Sequence, residues 1–405
     1  MNRLYISHNE VKSSQLKILL PIVFMFLSVL FVFSFTFPNR TTAIFYVSII
    51  IFSVGLIYIS QINSSKTNKN LFVLLSFLLL AFILGFRDLS GIDDPIYLQI
   101  FNLANGRSLV EYINSTDEEL GFKVLNYIIY RITNGNYYIC QIVFAVIPIA
   151  IFYRTFQKYS DFISFPLAIF ILVTTVYFQI LSVALVRIFI AMAIFLYSIE
   201  NIWLKKPFKF MLIILTASLF HISALFWLIL IPFAINFNIN NKKKYLIVYY
   251  SIILIFIPIA LFIVSKYLVP ILGVKYSAYI FGNGEKINLL SFDIVPIIIL
   301  GLFLERYIPN KYKQQYKVFL IILTFSPIVT IYSSLINFGR LSLYSNLARI
   351  VIFSMTYRFI PKEKPTLKYG FGSFVLCYCF LYMYRTQMTI FMENLFPYYN
   401  KFFII

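Results

Sequence analysis

The sequence predicts an all-α protein that crosses a membrane many times, and three observations support this class. Hydrophobic residues make up 61% of the 405 residues and charged residues only 12%, whereas soluble domains carry about 25% charged residues. The apolar residues form runs long enough for a helix to approach the ~30 Å hydrocarbon core of a bilayer. Short polar stretches with lysine and arginine separate these runs. A soluble or secreted enzyme and a disordered scaffold are therefore excluded.

We expect eleven or twelve transmembrane helices, with the whole chain, 1–405, forming one membrane domain. The first apolar run is too long for the core of a signal peptide, so we expect it to remain as a membrane helix. The predicted spans lie at residues 16–37, 42–60, 71–86, 137–153, 162–178, 181–204, 245–264, 287–304, 318–336, 341–360 and 369–384.

The apolar segment 208–234 differs from the predicted spans, because lysine clusters at 205–209 and 242–244 flank it on both sides. As one crossing helix, this segment would put one cluster outside, against the positive-inside rule. As a hairpin that turns near His221, each arm of about 13 residues, or ~20 Å, is too short to cross. We therefore expect a re-entrant helical hairpin at 206–241, and a single crossing helix is the alternative.

With the N-terminus inside, this topology leaves two external segments that are long enough to fold. Segment 87–136 holds many of the acidic residues and predicts short amphipathic helices at the membrane interface, for example 96–105 and 120–132. Segment 265–286 contains three glycines and predicts a lid or loop. Because long patterned loops usually carry function, we expect the chemistry on the outer face.

The net charge of +19 follows from the topology, because the positive-inside rule concentrates lysine and arginine on the cytoplasmic face. We expect this charge to attract anionic membrane lipids, and we expect no nucleic-acid partner.

Four arginines on the external side of this topology are candidates for binding a phosphate-bearing substrate. Arg87 ends one span, and Arg187 lies about two turns into another. Arg340 follows a short turn just before a later span, and Arg349 lies nine residues further along, roughly 13 Å deeper by helix rise. Guanidinium groups bind phosphate in a bidentate manner and stay ionised when partly desolvated. The alternative is that these side chains extend to the lipid head groups.

One histidine and two carboxylates complete the candidate site. His221 lies at the expected hairpin apex, where its imidazole would accept a proton from a sugar hydroxyl. A lone buried histidine is more often only a hydrogen-bonding residue. Asp93 and Glu119 lie in segment 87–136 and would hold sugar hydroxyls or act as a general base. A solvated acidic loop is the alternative for both.

No metal site and no cofactor are expected. The three cysteines lie inside apolar runs, and no second histidine accompanies His221, so the ligands of a zinc site are missing. The sequence also has no glycine-rich nucleotide-binding loop, which argues against a nucleotide-sugar donor.

The order of the short motifs along the chain resembles the EpsG-like branch of the Wzy-type polysaccharide polymerases, a group similar to O-antigen polymerases. The resemblance covers about residues 86–360, and Asp94 stands where the pattern usually has an aromatic residue. The motif residues are Gly91, Asp93 and Tyr97, then 119–122, Arg187 and Ala191, 221–224, and finally Arg340 and Tyr344.

The resemblance implies a glycosyltransferase that polymerises undecaprenyl-pyrophosphate-linked oligosaccharide repeat units at the periplasmic face of the bacterial inner membrane. Donor and acceptor would both be lipid-linked, and a chain-length regulator protein is a candidate partner. His221 would be the first candidate for the catalytic base and Asp93 the second. The alternatives are a lipid-linked oligosaccharide flippase or other secondary transporter, and an O-antigen ligase. The residues expected to bind substrate are Arg87, Glu119, Arg187, Arg340, Tyr344 and Arg349.

Overall fold

The computed structural model describes residues 40–89, 91–236, 294–336 and 341–384, together with Tyr398. Helices account for 83% of these residues, and the described ranges contain no strand. This confirms the predicted all-α class. The predicted spans at 16–37 and 245–264, the external segment 265–286 and Arg340 lie outside the described residues.

The helices before residue 184 form the first half of the described chain. They are α1 (Arg40–Ile62), α2 (Lys66–Gly85), α3 (Asp94–Asn102), α4 (Leu109–Asn114), α5 (Leu120–Thr133), α6 (Tyr137–Lys158), α7 (Phe165–Leu172) and α8 (Phe178–Val183). A π-helical turn at Val173–Tyr177 joins α7 and α8 into one helical run.

The second half begins with the helix that carries Arg187. Its helices are α9 (Val186–Ser198), α10 (Glu200–Trp203), α11 (Pro207–Ser218), α12 (Ile231–Asn236), α13 (Ile294–Leu304), α14 (Lys313–Ile336), α15 (Leu341–Phe359) and α16 (Pro365–Met383). The 3₁₀ turn Ile222–Leu230 leads into α12, and two more, Glu305–Tyr307 and Asn310–Tyr312, lie between α13 and α14. Helices α7, α11 and α16 each have a proline in the first turn, where its missing N–H costs no hydrogen bond.

Four of the described helices are long and apolar enough to cross a membrane, judged by length and composition. They are Thr41–Ile62, Lys66–Gly85, Tyr137–Lys158 and Val186–Trp203. They coincide with the predicted spans at 42–60, 71–86, 137–153 and 181–204. The chain is therefore a helical polytopic membrane protein, and the total of eleven or twelve spans stays a prediction.

The buried core joins helices from both halves of the chain. Helix α6 packs against α2 and α9, α7 packs against α1 and α15, and α14 packs along α15. Aromatic rings fill much of the space between helices. The ring of Tyr46 meets that of Phe178 edge-on at 5.0 Å, and Phe195 lies 4.7 Å from Trp227.

The break between two predicted spans lies later in the chain than expected. We expected it between residues 178 and 181, but helical structure continues to Val183 and resumes at Val186. Ala184 ends the helix in a left-handed conformation with φ of 61°. Arg187 therefore lies in the first turn of α9, not two turns into a span. Because neither glycine nor proline marks this break, hydrophobicity could not locate it.

Segment 87–136 contains three short helices, of which two were predicted. Helices α3 and α5 correspond to the predictions at 96–105 and 120–132. Helix α4 was missed, although Ser108 and Glu111 form a capping box at its start, a pattern that is readable in sequence. Ile128 and Ile132 on α5 are exposed, but the position of these helices at the membrane interface stays a prediction.

Residues 207–236 fold back on themselves, as a hairpin requires. The chain turns after α11 at Leu219 and Phe220, and the 3₁₀ turn Ile222–Leu230 then runs back along α11. Helix α12 contacts both α11 and α10, so the end of the hairpin lies close to its start. Whether this hairpin re-enters the bilayer from the cytoplasmic side stays a prediction.

Candidate functional site

Arg187 is the centre of a buried group of polar side chains. Its Nη1 donates to the Glu119 carboxylate at 2.5 Å and also contacts the Glu118 carboxylate. Its Nε donates to the Tyr97 hydroxyl at 3.3 Å. The guanidinium also lies 5.6 Å from the Tyr97 ring and 5.5 Å from the Phe122 ring. Residues of segment 87–136 therefore surround the first turn of α9.

The start of α5 connects Arg187 to the hairpin. The second carboxylate oxygen of Glu119 accepts a hydrogen bond from the backbone N–H of Ile222 at 3.2 Å. The backbone N–H groups of Gly121 and Phe122 donate to the Leu219 carbonyl at 2.7 and 3.3 Å. A Cβ on Gly121 would lie only 2.8 Å from this carbonyl oxygen. The contact therefore needs glycine at position 121.

Lys123 fixes the turn that precedes the two carboxylates. Its ammonium group donates to the carbonyl oxygens of Ile113 at 2.8 Å and Thr116 at 3.0 Å. Burial lowers the pKa of Lys123, and the nearby carboxylates, including Glu118 and Glu119, partly offset this effect. Lys123 thus orders the backbone just before the acidic pair.

His221 connects the hairpin to α15 through a serine. The His221 Nδ1 lies 2.6 Å from the Ser223 hydroxyl oxygen, which donates to the Tyr344 hydroxyl at 3.1 Å. Tyr344 packs between the rings of Phe195 and Trp227, at 5.5 and 6.1 Å. His221 and Tyr344, 123 positions apart in sequence, thus meet through one hydroxyl group.

These residues form one group, which we call the polar site. Side chains from α3, α5, α9, the hairpin and α15 meet there. Its members are Tyr97, Glu118, Glu119, Arg187, His221, Ser223 and Tyr344.

Arg87 is engaged in a separate buried ion pair. Its Nε and Nη2 donate to the two carboxylate oxygens of Asp94 at 2.8 and 2.6 Å, and its Nη1 donates to the Leu84 carbonyl at 2.7 Å. The Gly91 N–H also donates to Asp94, at 2.9 Å. Burial lowers the pKa of Arg87, but the Asp94 carboxylate and two nearby tyrosines together raise this pKa by more, so the guanidinium stays ionised. Asp94, the departure from the motif pattern, thus balances the buried charge.

A small cavity separates this ion pair from the polar site. Its lining includes Arg87, Tyr97, Asn126 and Gln141, and its volume is about 10 Å³. This is roughly the space that one water molecule needs, so a sugar ring does not fit here.

Two other predicted residues, Asp93 and Arg349, make different contacts. Asp93 is half-buried before α3, and its backbone N–H donates to the Val183 carbonyl at 3.0 Å. Arg349 is fully buried, donates to the Tyr378 hydroxyl and lies 4.5 Å from the Tyr382 ring. It follows Tyr344 by five residues, which places it about 140° around α15. Arg349 thus faces α16, and its contact with substrate stays a prediction.

Four residues of these clusters were not singled out as site residues from the sequence. Tyr97 and Ser223 belong to the motifs, and Glu118 and Asp94 are neighbours of predicted residues. Only the folded structure shows that these four side chains contact residues that the sequence predicted for the site. Among the described residues, no group of three or more His, Cys, Asp or Glu side chains is arranged to hold a metal ion.

The fold and the polar site define a helical membrane protein in which segment 87–136 and the helix bundle share one group of buried polar residues. The sequence model of the EpsG family matches residues 70–400, and the chain belongs to this family. No curated protein and no solved structure matches the chain. The family membership indicates a polysaccharide polymerase-like function and a glycosyltransferase-like enzyme of the membrane.

Proposed function

We propose that this protein polymerises undecaprenyl-pyrophosphate-linked oligosaccharide repeat units by glycosyl transfer at the periplasmic face of the bacterial inner membrane. The polar site is the observation that supports this proposal. It brings an arginine, two carboxylates and a histidine together inside a chain with only 12% charged residues. Ionisable groups buried within a membrane helix bundle are costly and usually serve function. Family membership over residues 70–400 supports the same reaction class.

Arg187 is suited to bind the diphosphate of the donor. Among the described residues, its hydrogen bonds use Nε and Nη1, and Nη2 takes part in none of them. Nη2 can therefore donate to a phosphate oxygen while Nη1 holds the carboxylates. Such a donor stabilises the negative charge that develops on the leaving diphosphate. The prenyl diphosphate then leaves without a proton from a general acid.

His221 is the proposed general base. In the structure, the Ser223 backbone N–H donates to the His221 Nδ1 at 3.3 Å. The proposed base is the other tautomer, in which Nδ1–H donates to the Ser223 hydroxyl and this hydroxyl donates onward to Tyr344. Its Nε2 then takes the proton of the acceptor hydroxyl. The hydroxyl oxygen attacks the anomeric carbon, and the electron pair of the broken bond goes to the diphosphate. Direct displacement inverts the anomeric centre. Asp93 is the second candidate base.

The carboxylates of Glu118 and Glu119 are suited to accept hydrogen bonds from sugar hydroxyls, since their contacts with the Arg187 guanidinium orient both of them. The Glu119 carboxylate also holds the hairpin through Ile222. Sugar binding would therefore depend on the docking of α5 against the hairpin. Arg87, Arg340 and Arg349 remain proposed contacts for other parts of the lipid-linked substrates, and a chain-length regulator remains a proposed partner.

The test is a polysaccharide gel of a deletion strain that expresses the wild type, Arg187→Gln or Arg131→Gln. Arg131 is the matched control, because it is an exposed arginine of α5 that stacks on Tyr127. We expect Arg187→Gln to lose the ladder and keep the single repeat unit, since removing such a donor costs roughly 10²–10³-fold in rate. Arg131→Gln should give a normal ladder at equal protein level.

Two other outcomes would contradict the proposal. Loss of the single-unit product in the deletion strain would favour a ligase or a flippase. A normal ladder from Arg187→Gln at the wild-type protein level would remove Arg187 from the reaction.

A further inference from the structure

An apolar groove runs between α13 and α16. Its walls include Ile299 and Phe303 on one side and Leu367, Gly370 and Phe374 on the other. The groove has a volume of about 690 Å³, which is in the usual range of ~300–1,000 Å³ for ligand pockets. The side chains of Ile299 and Phe303 are more than half exposed. Such a surface fits a hydrocarbon chain.

Two cations stand at one end of this groove, where α13 ends and α16 begins. The Arg306 guanidinium lies 4.0 Å from the ring of Phe303, a groove residue, and 5.0 Å from the Tyr307 ring. The Lys364 ammonium lies 5.1 Å from the same Tyr307 ring. Both cations are exposed, and both lie against the Tyr307 ring. An anion at this end of the groove would be attracted by both.

This end of the groove is far from the polar site. Helix α15 carries Tyr344 at the polar site and Phe359 near its other end, where Phe359 stacks on Tyr312 at 5.4 Å. Fifteen residues of helix separate Tyr344 from Phe359, which corresponds to roughly 22 Å. In the predicted topology, this is the cytoplasmic side. A ligand at the two cations is therefore distinct from the donor diphosphate proposed at Arg187.

We propose that the groove binds one anionic diacyl phospholipid. Its phosphate would lie at the end of the groove near Arg306 and Lys364, and one acyl chain would lie along the wall of α16. Basic residues between transmembrane helices attract anionic head groups, at about 1 kcal/mol per lysine or arginine. A zwitterionic lipid of the same chain length would fill the groove but gain little from the cations. The combination of groove and cation pair favours this ligand.

Gly370 offers a way to fill the groove without disturbing the helix. A Cβ added at this position meets no atom within 4 Å. A tryptophan there would therefore extend into the groove and occupy the acyl-chain position. This variant separates the role of the groove from that of the cations.

The test measures binding of phosphatidylglycerol and phosphatidylcholine to the purified full-length protein by native mass spectrometry. We expect wild type to prefer phosphatidylglycerol. The double variant R306Q/K364Q should weaken phosphatidylglycerol binding about 30-fold and leave phosphatidylcholine nearly unchanged. The control K311Q/K362Q removes the same number of charges from nearby positions and should keep the preference. Gly370→Trp should reduce binding of both lipids.

Three results would overturn the proposal. The first is equal binding of the two lipids to wild type. The second is a loss in K311Q/K362Q as large as that in R306Q/K364Q. The third is a wild-type dimer that Gly370→Trp dissociates with no change in lipid binding, which would make the groove an interface between two copies of the chain.

Discussion

Replacing Gly121 by alanine tests whether segment 87–136 is docked on the hairpin as the structure shows. A Cβ at this position would lie 2.8 Å from the Leu219 carbonyl oxygen and 2.9 Å from the Leu219 Cβ. Both distances are below any normal contact, so α5 and the hairpin must separate. Overpacking of this kind costs about 1–3 kcal/mol. The two backbone hydrogen bonds to Leu219 would also weaken, at about 0.5–1.5 kcal/mol each when lost.

The expected change in stability is opposite in sign to that of an ordinary glycine-to-alanine substitution in a helix. Alanine in place of glycine usually stabilises a helix by up to about 1 kcal/mol. After this gain, we expect Gly121→Ala to destabilise the protein by about 2 kcal/mol. The melting temperature should fall by roughly 2–3 °C. The matched control is Gly55→Ala in α1, where a Cβ meets no atom within 4 Å, and this variant should keep or raise the melting temperature.

The assay is thermal unfolding of both variants in the same detergent, followed by the polysaccharide gel. Gly121→Ala should also shorten or remove the ladder, because the hydrogen bond from Ile222 to Glu119 depends on the same docking. If Gly121→Ala is as stable as Gly55→Ala and makes a normal ladder, the docking of α5 on the hairpin is refuted.

Three further predictions concern side chains. Arg87→Ala leaves the Asp94 carboxylate buried without its charge partner and should cost about 3–5 kcal/mol, measured by thermal unfolding. Hydrogen bonds from the backbone N–H and the side chain of Ser108 lower the pKa of Glu111 below its usual 4.5, so the folded-state pKa is depressed. Its stabilisation of α4 should be complete above pH 4.5 and be lost as the pH falls through the folded-state pKa. Hydrogen exchange of residues 109–114 should show this, and Glu111→Gln should remove the pH dependence. Ser223→Ala removes the hydroxyl partner of His221 and should reduce polymerisation about 10-fold or more while the melting temperature changes little; an unchanged ladder would argue against His221 as the base.

Much of the candidate site was readable from sequence, because Arg187 and His221 are polar exceptions inside apolar runs and Glu119 lies in the acidic external segment. Arg187, Glu119, His221 and Tyr344 were each expected to contact substrate, and the structure brings these four into one group. The reason is that burying a polar group without a partner is costly. In a membrane protein, isolated polar residues therefore tend to meet one another.

The sequence could not assign partners to these residues. It gave both Arg87 and Arg187 as candidate substrate ligands, whereas the fold pairs Arg87 with Asp94 and surrounds Arg187 with the acidic pair. The helix break at Ala184 could not be predicted either, since the residue in the left-handed conformation is an alanine and not a glycine. Its position decides which turn of α9 carries Arg187.

The sequence by itself determined the class of this protein, the approximate positions of its helices and most of the residues in its polar site. These properties depend on hydrophobicity and on helix length, both of which are local. Only the tertiary structure decided which carboxylate faces which arginine and that α5 rests on the hairpin through Gly121 and Leu219. It also decided that α13 and α16 enclose an apolar groove beside two cations. Such contacts join residues that are distant in sequence, and packing geometry rather than composition selects them.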